Sequence, residues 1–551
     1  MSSRSRFVVP IILSALAVLA GCGSSSPTVT PPPTGGFSNS DLNGTYVFSF
    51  SGADALNGTF FAMAGVFTAN GTNGGISGGT VDIIDGAYGA LTGVTISSGS
   101  YAITADGRGR GTLTTNLNNN TYPGLTSIGI DFVLTSSSHG LIIRFDGDGT
   151  GSGTLDLQSS SIDQSSLTSY AFTLSGADTS SGNPLSAVGG FALNGGTAIT
   201  DGVEDFNDYG VSTGLTALTL TGSVTLGSSG AAGQAVMTNT ASSAAYNALT
   251  FDVWPVDATH FKLIETDGVE LLEGDAFTQA TTVPSSGNLV YTFAGEDFGN
   301  GRELFVSGGY LAYSGTTVSS GFEDINEYNQ NGVSLSTVSG TLGTGGFGRY
   351  VLTLGGFLNG IDSSTATGYQ FAAYPFTSNG NTGILVMEID GAGVTGGTAF
   401  VQSATTFASS QGYGLNETGY NGSEVDLIAE FTAESSGTLS QGIMDENDDG
   451  SFMWKESLGS GGTYTFDSGG SGRGELTYQN ANTGIGGYGT VFYVANSSIV
   501  PFIDADAGTQ VGVGVIELQS SQSQAKSQAA ATHTQTHLAV LRATSKKAKK
   551  K

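Results

Sequence analysis

The 551-residue chain has one cysteine, 11 prolines and only 17 basic residues, and no apolar run long enough to span a membrane. A single thiol excludes internal disulfides and any cysteine cluster. Two of the basic residues, Arg4 and Arg6, lie at the start, and seven (Lys526, Arg542, Lys546, Lys547, Lys549, Lys550 and Lys551) lie near the end. Eight basic residues therefore remain against 46 acidic ones, a body charge of −38. Such a surface repels nucleic acid. The body has only two histidines, His139 and His260. There is no His-Glu-x-x-His, phosphate-binding loop or dinucleotide fingerprint, and Gly75-Ile-Ser77-Gly-Gly79 lacks the strand-to-helix setting of a nucleophile elbow.

Glycine is abundant, at 87 residues, alongside 30 Phe and 20 Tyr. Val, Ile, Phe and Tyr recur in short alternating runs, and no long stretch shows helical periodicity. Strands favour these residue types and glycine supplies the turns, so the chain reads as all-β.

The lone cysteine closes Leu19-Ala20-Gly21-Cys22, after a basic start and the apolar stretch from Phe7 to Leu19. This layout is that of an export signal, residues 1–21. The four residues resemble the lipobox of bacterial lipoproteins. The resemblance implies cleavage before Cys22, acylation (palmitate-type lipid) of that residue, and a cell-envelope location, in the outer membrane or at the cell surface. Residues 22–39 follow as a Pro/Ser/Thr linker, whose Gly23–Gly36 part reaches roughly 40 Å if extended.

A unit of about 120 residues then occurs four times. Gly79-Thr-Val-Asp82 recurs as Gly202-Val-Glu-Asp205, Gly321-Phe-Glu-Asp324 and Gly442-Ile-Met-Asp445. Opening strands keep the same step (Tyr46, Phe48, Phe50; Tyr170, Phe172, Leu174; Leu289, Tyr291, Phe293; Tyr413, Leu415), and every copy closes on a glutamine, Gln158, Gln279, Gln402 or Gln519. The copies span 40–158, 164–279, 286–402 and 408–519, and 520–551 is a basic Ser/Gln/Ala-rich tail, read as disordered. Copy one shows eight alternating runs with mostly short connections, as in an antiparallel meander. Closing such a meander removes its edges, so the expected fold is four tandem eight-stranded up-and-down barrels, avidin- or lipocalin-like by analogy. Two-sheet sandwiches are the alternative, and a propeller of half-units a more distant one. A unit of this size buries enough surface to fold alone.

Candidate site residues are acidic. Asp445 to Glu456 (DENDDGSFMWKE) fits the EF-hand formula through Asp445, Asn447, Asp449, Gly450 and Glu456, which points to Ca2+. The other copies lack the terminal Glu and strands flank the segment, so an acidic hairpin is the competing reading. A second acidic pair recurs near the seventh strand: Asp146/Asp148, Glu265/Asp267, Glu388/Asp390 and Asp504/Asp506. With acids after strand one (Asp54, Asp178, Asp297), three acidic turns per copy are expected at one barrel rim, and arginines (Arg108, Arg110, Arg349, Arg473) at the other.

The reading is a lipid-anchored envelope protein that displays non-catalytic barrels for binding or adhesion, with an extracellular glycan or protein as ligand. It resembles Gly/Ser/Thr-rich repeat lipoproteins of uncharacterised function. A structural coat or spacer is the second reading, favoured by barrels filled with side chains. A polysaccharide hydrolase is the third, favoured by paired carboxylates in one cleft.

Overall fold

The computed structural model describes residues 36–520, apart from 210, 212–214, 229, 281, 298–302, 331–333, 359–367, 379, 459–461, 479–487 and 507–509. Residues 1–35 and 521–551, with Cys22, most of the linker and the tail, lie outside the described residues. Among the described residues no helix is long and apolar enough to cross a membrane.

Unit 1 is a meander of Asn43–Asp54, Thr59–Asn70, Gly75–Asp85, Gly89–Ile103, Arg108–Thr115, Ser127–Ser136, His139–Asp146 and Gly149–Leu157. The first strand pairs with the eighth, Tyr46 opposite Leu157, and closes the barrel. Units 2 and 3 close in the same way. The eight strands match the sequence pattern in number, but the fourth begins ten residues earlier than its alternating run, because its first half is Gly/Thr-rich and largely solvent-facing.

Unit 4 departs from the others. Its fourth strand is broken into Ser451–Ser457 and Thr463–Phe466, leaving a nine-stranded sheet. Backbone bonds across the break, Leu458 N to Gly442 O (3.0 Å), Leu439 N to Gly462 O (2.9 Å) and Tyr464 N to Gly437 O (2.8 Å), tie both halves to the third strand, Leu439–Asp448. The unit is thus a barrel with a split wall, and sandwiches are ruled out.

Each barrel interior is packed with its own apolar side chains. In the first strand of unit 1, Tyr46, Phe48 and Phe50 point inward. Period-two alternation sends Val47, Ser49 and Ser51 outward, yet these are also buried. Val47 meets Trp254 and Ile264 of unit 2 in a separate apolar cluster, and Ser51 Oγ donates to Glu273 Oε2 of unit 2 at 2.9 Å. Outer-face residues of all four units, such as Val133, Val188, Val290 and Val513, form another shared cluster. The strands at the seams, such as the first and seventh of unit 1, are therefore buried on both faces, and the barrels are not beads on a string.

The units close a ring in the order 1, 2, 3, 4 and back to 1. The glutamine that ends each unit is the clasp. Gln158 Nε2 donates to Pro255 O (2.8 Å), Gln279 to Phe347 O (3.3 Å), Gln402 to Ser471 O (2.7 Å) and Gln519 to Asp106 O (2.7 Å), each in the next unit. The following backbone N–H repeats the step: Ser159 to Val256 O, Ala280 to Pro375 O, Ser403 to Ala495 O, and Ser520 to Thr135 O. Head-to-tail contacts of one kind generate a closed ring when the rotation closes.

Candidate functional site

The recurring aspartate of each unit sits on a seam between units. Asp205 receives Arg349 of unit 3 through Nε (2.8 Å) and Nη2 (2.7 Å), and the Tyr374 hydroxyl at 2.5 Å. Asp324 receives Arg473 of unit 4 (2.7 and 2.9 Å) and Tyr493 (2.6 Å). Asp445 receives Arg108 Nη1 of unit 1 at 3.0 Å. Two residues on, an asparagine clasps the same neighbour: Asn207 Nδ2 donates to Glu388 O, Asn326 to Asp504 O and Asn447 to Gly149 O, at 2.8–2.9 Å.

The seam between units 1 and 2 is built differently. Asp82 receives Trp254 Nε1 at 2.9 Å, and Ile84 stands in the asparagine position and joins the apolar cluster. Burial raises Asp82 to about 7, and Asp252 beside it adds to the shift. Ala232, just before the fifth strand of unit 2 (Gly233–Asn239), packs on this cluster where units 3 and 4 place Arg349 and Arg473.

A buried charge network links units 1, 2 and 4. His139 Nδ1 lies 2.7 Å from Asp156 Oδ1 and its Nε2 lies 3.0 Å from Glu517 Oε2. Lys262 of unit 2 lies 3.6 Å from Asp156 and 3.5 Å from Asp275. Burial works against the charge on His139, but Glu517 and Asp156 outweigh it and hold its pKa up at about 10. Burial likewise opposes ionised Asp156, and His139 with Lys262 keeps it well below the usual carboxylate range. The second histidine of the body is also buried against a carboxylate: His260 Nε2 lies 2.7 Å from Asp275.

The EF-like segment is a β-hairpin. Asp449 (φ 45°) and Gly450 (φ 85°) form its two-residue tip, with Asp448 opposite Ser451 and Met444 opposite Glu456. Asp445 accepts from Arg108 of unit 1 and Asn447 Nδ2 donates to Gly149 O, so both side chains are engaged at the seam. The Glu456 side chain lies outside the described residues.

The second acidic pair needs a change of register in unit 1. The residues that cap the turn and bond the sixth strand are Asp146, Asp267, Asp390 and Asp506, accepting from Gly129, Thr250, Gln370 and Gly489. Position two before is Glu265, Glu388 or Asp504 in units 2–4, but Arg144 in unit 1. Asp148 is therefore a further turn residue and not the partner of Asp267, Asp390 and Asp506. Arg144 bonds Asp146 at 3.1 Å and lies over the Phe61 ring inside the barrel. In unit 2, burial, then Asp267, raises Glu265 to about 9. Glu388 and Asp504 are raised well above the ordinary range, by burial first and then by Asp390 and by Glu417 respectively. Acids at strand ends do converge at one barrel end. Asp85 is raised to about 7 by burial and by Asp54, and Glu270 to about 7 by burial, with Asp178 and Asp208 adding to it. Among the described residues no group of three or more His, Cys, Asp or Glu is arranged to hold a metal ion.

The seam between units 4 and 1 also carries an open groove of about 360 Å³, lined by Tyr101, Thr104, Arg108, Arg110, Asp131, Asp445 and Trp454. The first half of the split strand, Ser451–Ser457, lays Phe452 and Trp454 over unit 1. Arg110 is sandwiched, its guanidinium carbon 4.4 Å from the Phe145 ring centre and 4.3 Å from that of Trp454. Both prongs of Arg110 hold Asp131 at 2.7 Å. Phe452 and Trp454 are 54% and 51% exposed, among the few exposed large apolar residues described. The pair sits inside the EF-like segment, whose acidic spacing masks it in the sequence. Its signal is two aromatics at spacing two in a wall that is elsewhere Gly/Ser/Thr-rich.

No family model matches the chain, and no curated protein matches it. Solved structures with some likeness include intact Ap-TbpB with N and C lobes, at 10% identity over 69% of this chain and 84% of that one, TM-score 0.17. A transferrin binding protein B mutant from Haemophilus parasuis gives 11% over 70% and 83%, TM-score 0.17. A putative AttH from Nitrosomonas europaea gives 9% over 64% and 92%, TM-score 0.17. At such scores the likeness carries no argument about fold or function.

Proposed function

We propose that the chain is a lipid-anchored envelope protein whose four-barrel ring is a non-catalytic binding head. The groove between units 4 and 1 is its ligand site. The observation that carries this reading is Trp454, half exposed and stiffened by Arg110 beneath it. A rigid aromatic platform beside hydroxyls (Ser100, Thr104, Thr112) and a charged arginine suits the apolar face and hydroxyl rim of a sugar chain. The strongly shifted acids argue for structure over catalysis, since most face a barrel end or a seam between units. Export and acylation at Cys22 rest on the lipobox alone.

Trp254 is fully buried and bonded to Asp82, so an emission change on ligand addition reports Trp454. Titration with neutral (cellohexaose, chitohexaose) and acidic (oligogalacturonate) oligosaccharides should shift or quench the exposed component for at least one class. Trp454→Ala should abolish the response with the fold unchanged. Silence across the panel would leave the coat or spacer reading. That reading is favoured by a separate observation, the side-chain-filled interiors of all four units.

A further inference from the structure

Each seam brings the last strand of one barrel against the second strand of its neighbour. Between units 2 and 1 this contact is apolar: Leu271 shares a cluster with Phe60 and Ala62. Between units 4 and 3 it is apolar too: Val511 shares a cluster with Leu304 and Val306. The seam that closes the ring, between units 1 and 4, breaks the pattern. Strand register puts Thr150 of unit 1 at the place of Leu271 and Val511. It puts Glu424 of unit 4 at the place of Phe60 and Leu304, and Asp426 at the place of Ala62 and Val306. The fold therefore accepts apolar residues at these positions, and one seam alone buries two carboxylates there.

The first two strands of unit 4, Gln411–Tyr420 and Glu424–Ala433, set Thr418 opposite Asp426. Asp426 Oδ2 accepts from Thr150 Oγ1 at 2.6 Å, while its Oδ1 has no donor. Neither oxygen of Glu424 has one, and the Thr418 hydroxyl beside Asp426 forms no hydrogen bond. Glu424 is 3% exposed, and Asp426 and Thr418 are wholly buried. A Cβ on Gly52 would lie 2.5 Å from Glu424 Oε1 and 2.6 Å from Thr150 O, so these two oxygens converge on space that a glycine leaves. Among the described residues no basic side chain pairs with either carboxylate. Burial raises Asp426 to about 7, and burial, then Asp426 and Asp449, raises Glu424 well above the ordinary range. Two such groups side by side need a counter-charge or a proton. We propose that Glu424 and Asp426, with the Thr418 hydroxyl and the hydroxyl and carbonyl of Thr150, bind one Ca2+ ion that bridges unit 4 to unit 1. The donors are all oxygen, which suits a hard cation, and they come from strands of two barrels, an irregular set that Ca2+ tolerates better than Mg2+ does. The site uses none of Asp445, Asn447 or Glu456 of the EF-like segment.

The test titrates the full chain with Ca2+ at pH 7.5 after EDTA has stripped it of divalent ions. Equilibrium dialysis should show a saturable equivalent of Ca2+ that Glu424→Gln and Asp426→Asn each remove and that Asp504→Asn, at the barrel end, retains. Millimolar Ca2+ should raise the melting temperature of the unsubstituted chain by more than NaCl of equal ionic strength does, and by no more than that salt in either seam variant. Glu424→Leu combined with Asp426→Val, which copies Leu304 and Val306 of unit 3, should fold and melt independently of Ca2+. No saturable binding, a shift that NaCl matches, or a shift that survives in Glu424→Gln and Asp426→Asn would overturn the proposal. Absent binding, with Glu424→Gln melting at or above the unsubstituted chain, would mean that a shared proton holds the two carboxylates together.

Discussion

Arg349 of unit 3 grips Asp205 of unit 2 with two parallel hydrogen bonds, at 2.8 and 2.7 Å, and both side chains are almost wholly withdrawn from water. The same relation joins Arg473 to Asp324 one unit later. A repeat that looks like tandem modules is thus sewn together by charge pairs between modules.

Removing one partner of such a pair strands a buried charge. Arg349→Ala should cost about 3–5 kcal/mol in urea unfolding. Arg349→Lys should fall between wild type and Ala, because an ammonium cannot make the two-pronged bond. Equal midpoints for all three proteins would show that the seam contributes nothing.

The clasp glutamines should matter less, each removing a hydrogen bond worth about 1 kcal/mol. Gln519→Ala is the informative one, since its amide reaches both Asp106 O and Leu134 O. Hydrogen exchange should quicken in the turn Thr104–Arg108 and leave unit 3 unchanged. Uniform quickening would contradict a local clasp.

Stability should fall as pH rises above neutrality. Glu204 and Glu323 are raised from 4.5 to about 8, and Glu265 and Glu430 to about 9, all chiefly by burial. Between those limits the folded chain binds more protons than the unfolded chain, so the slope with pH is negative. His139 has the same sign: its contribution is full below 6.5 and is lost as pH rises through about 10. Asp156 and Asp275, lowered from 3.8, oppose acid, and their contribution is lost as pH falls below that value. Melting temperatures at constant ionic strength should order as pH 5 above pH 7 above pH 9. The reverse order would refute these assignments.

Glu388 offers a single-residue version of that test. Its side chain is buried beside Asp390 and favours the protonated form, which Gln mimics in shape. Glu388→Gln should raise the melting temperature more at pH 9 than at pH 6. Glu388→Ala should lower it at both, by leaving a cavity.

The fold was legible because alternation, turns and a 120-residue step all reflect local geometry. Tyr46, Phe48 and Phe50 read as one inward face and are one. The ring was not legible. The partner of Asp205 lies 144 residues away, and the partner of Gln519 lies 413 away. Val47, Ser49 and Ser51 are small or polar enough to read as a solvent face, and they fill a seam. Asp146 and Asp148 imitate the later acidic pairs two residues out of register, which hid Arg144 in the place of Glu265, Glu388 and Asp504. The groove was hidden by a motif: EF-hand spacing drew attention to Asp445, Asn447, Asp449 and Glu456, while Phe452 and Trp454, between Asp449 and Glu456, form the exposed surface.

The central claim is that four barrels make one interlocked body. Calorimetry of the full chain measures this directly, by comparing the heat absorbed with the sharpness of the transition. Seams of this kind predict a single transition with a calorimetric-to-van't Hoff enthalpy ratio close to one, which Arg349→Ala shifts as a whole. Resolved transitions with a ratio near four, only one of them moved by Arg349→Ala, would mean independent barrels on a thread and would contradict the account.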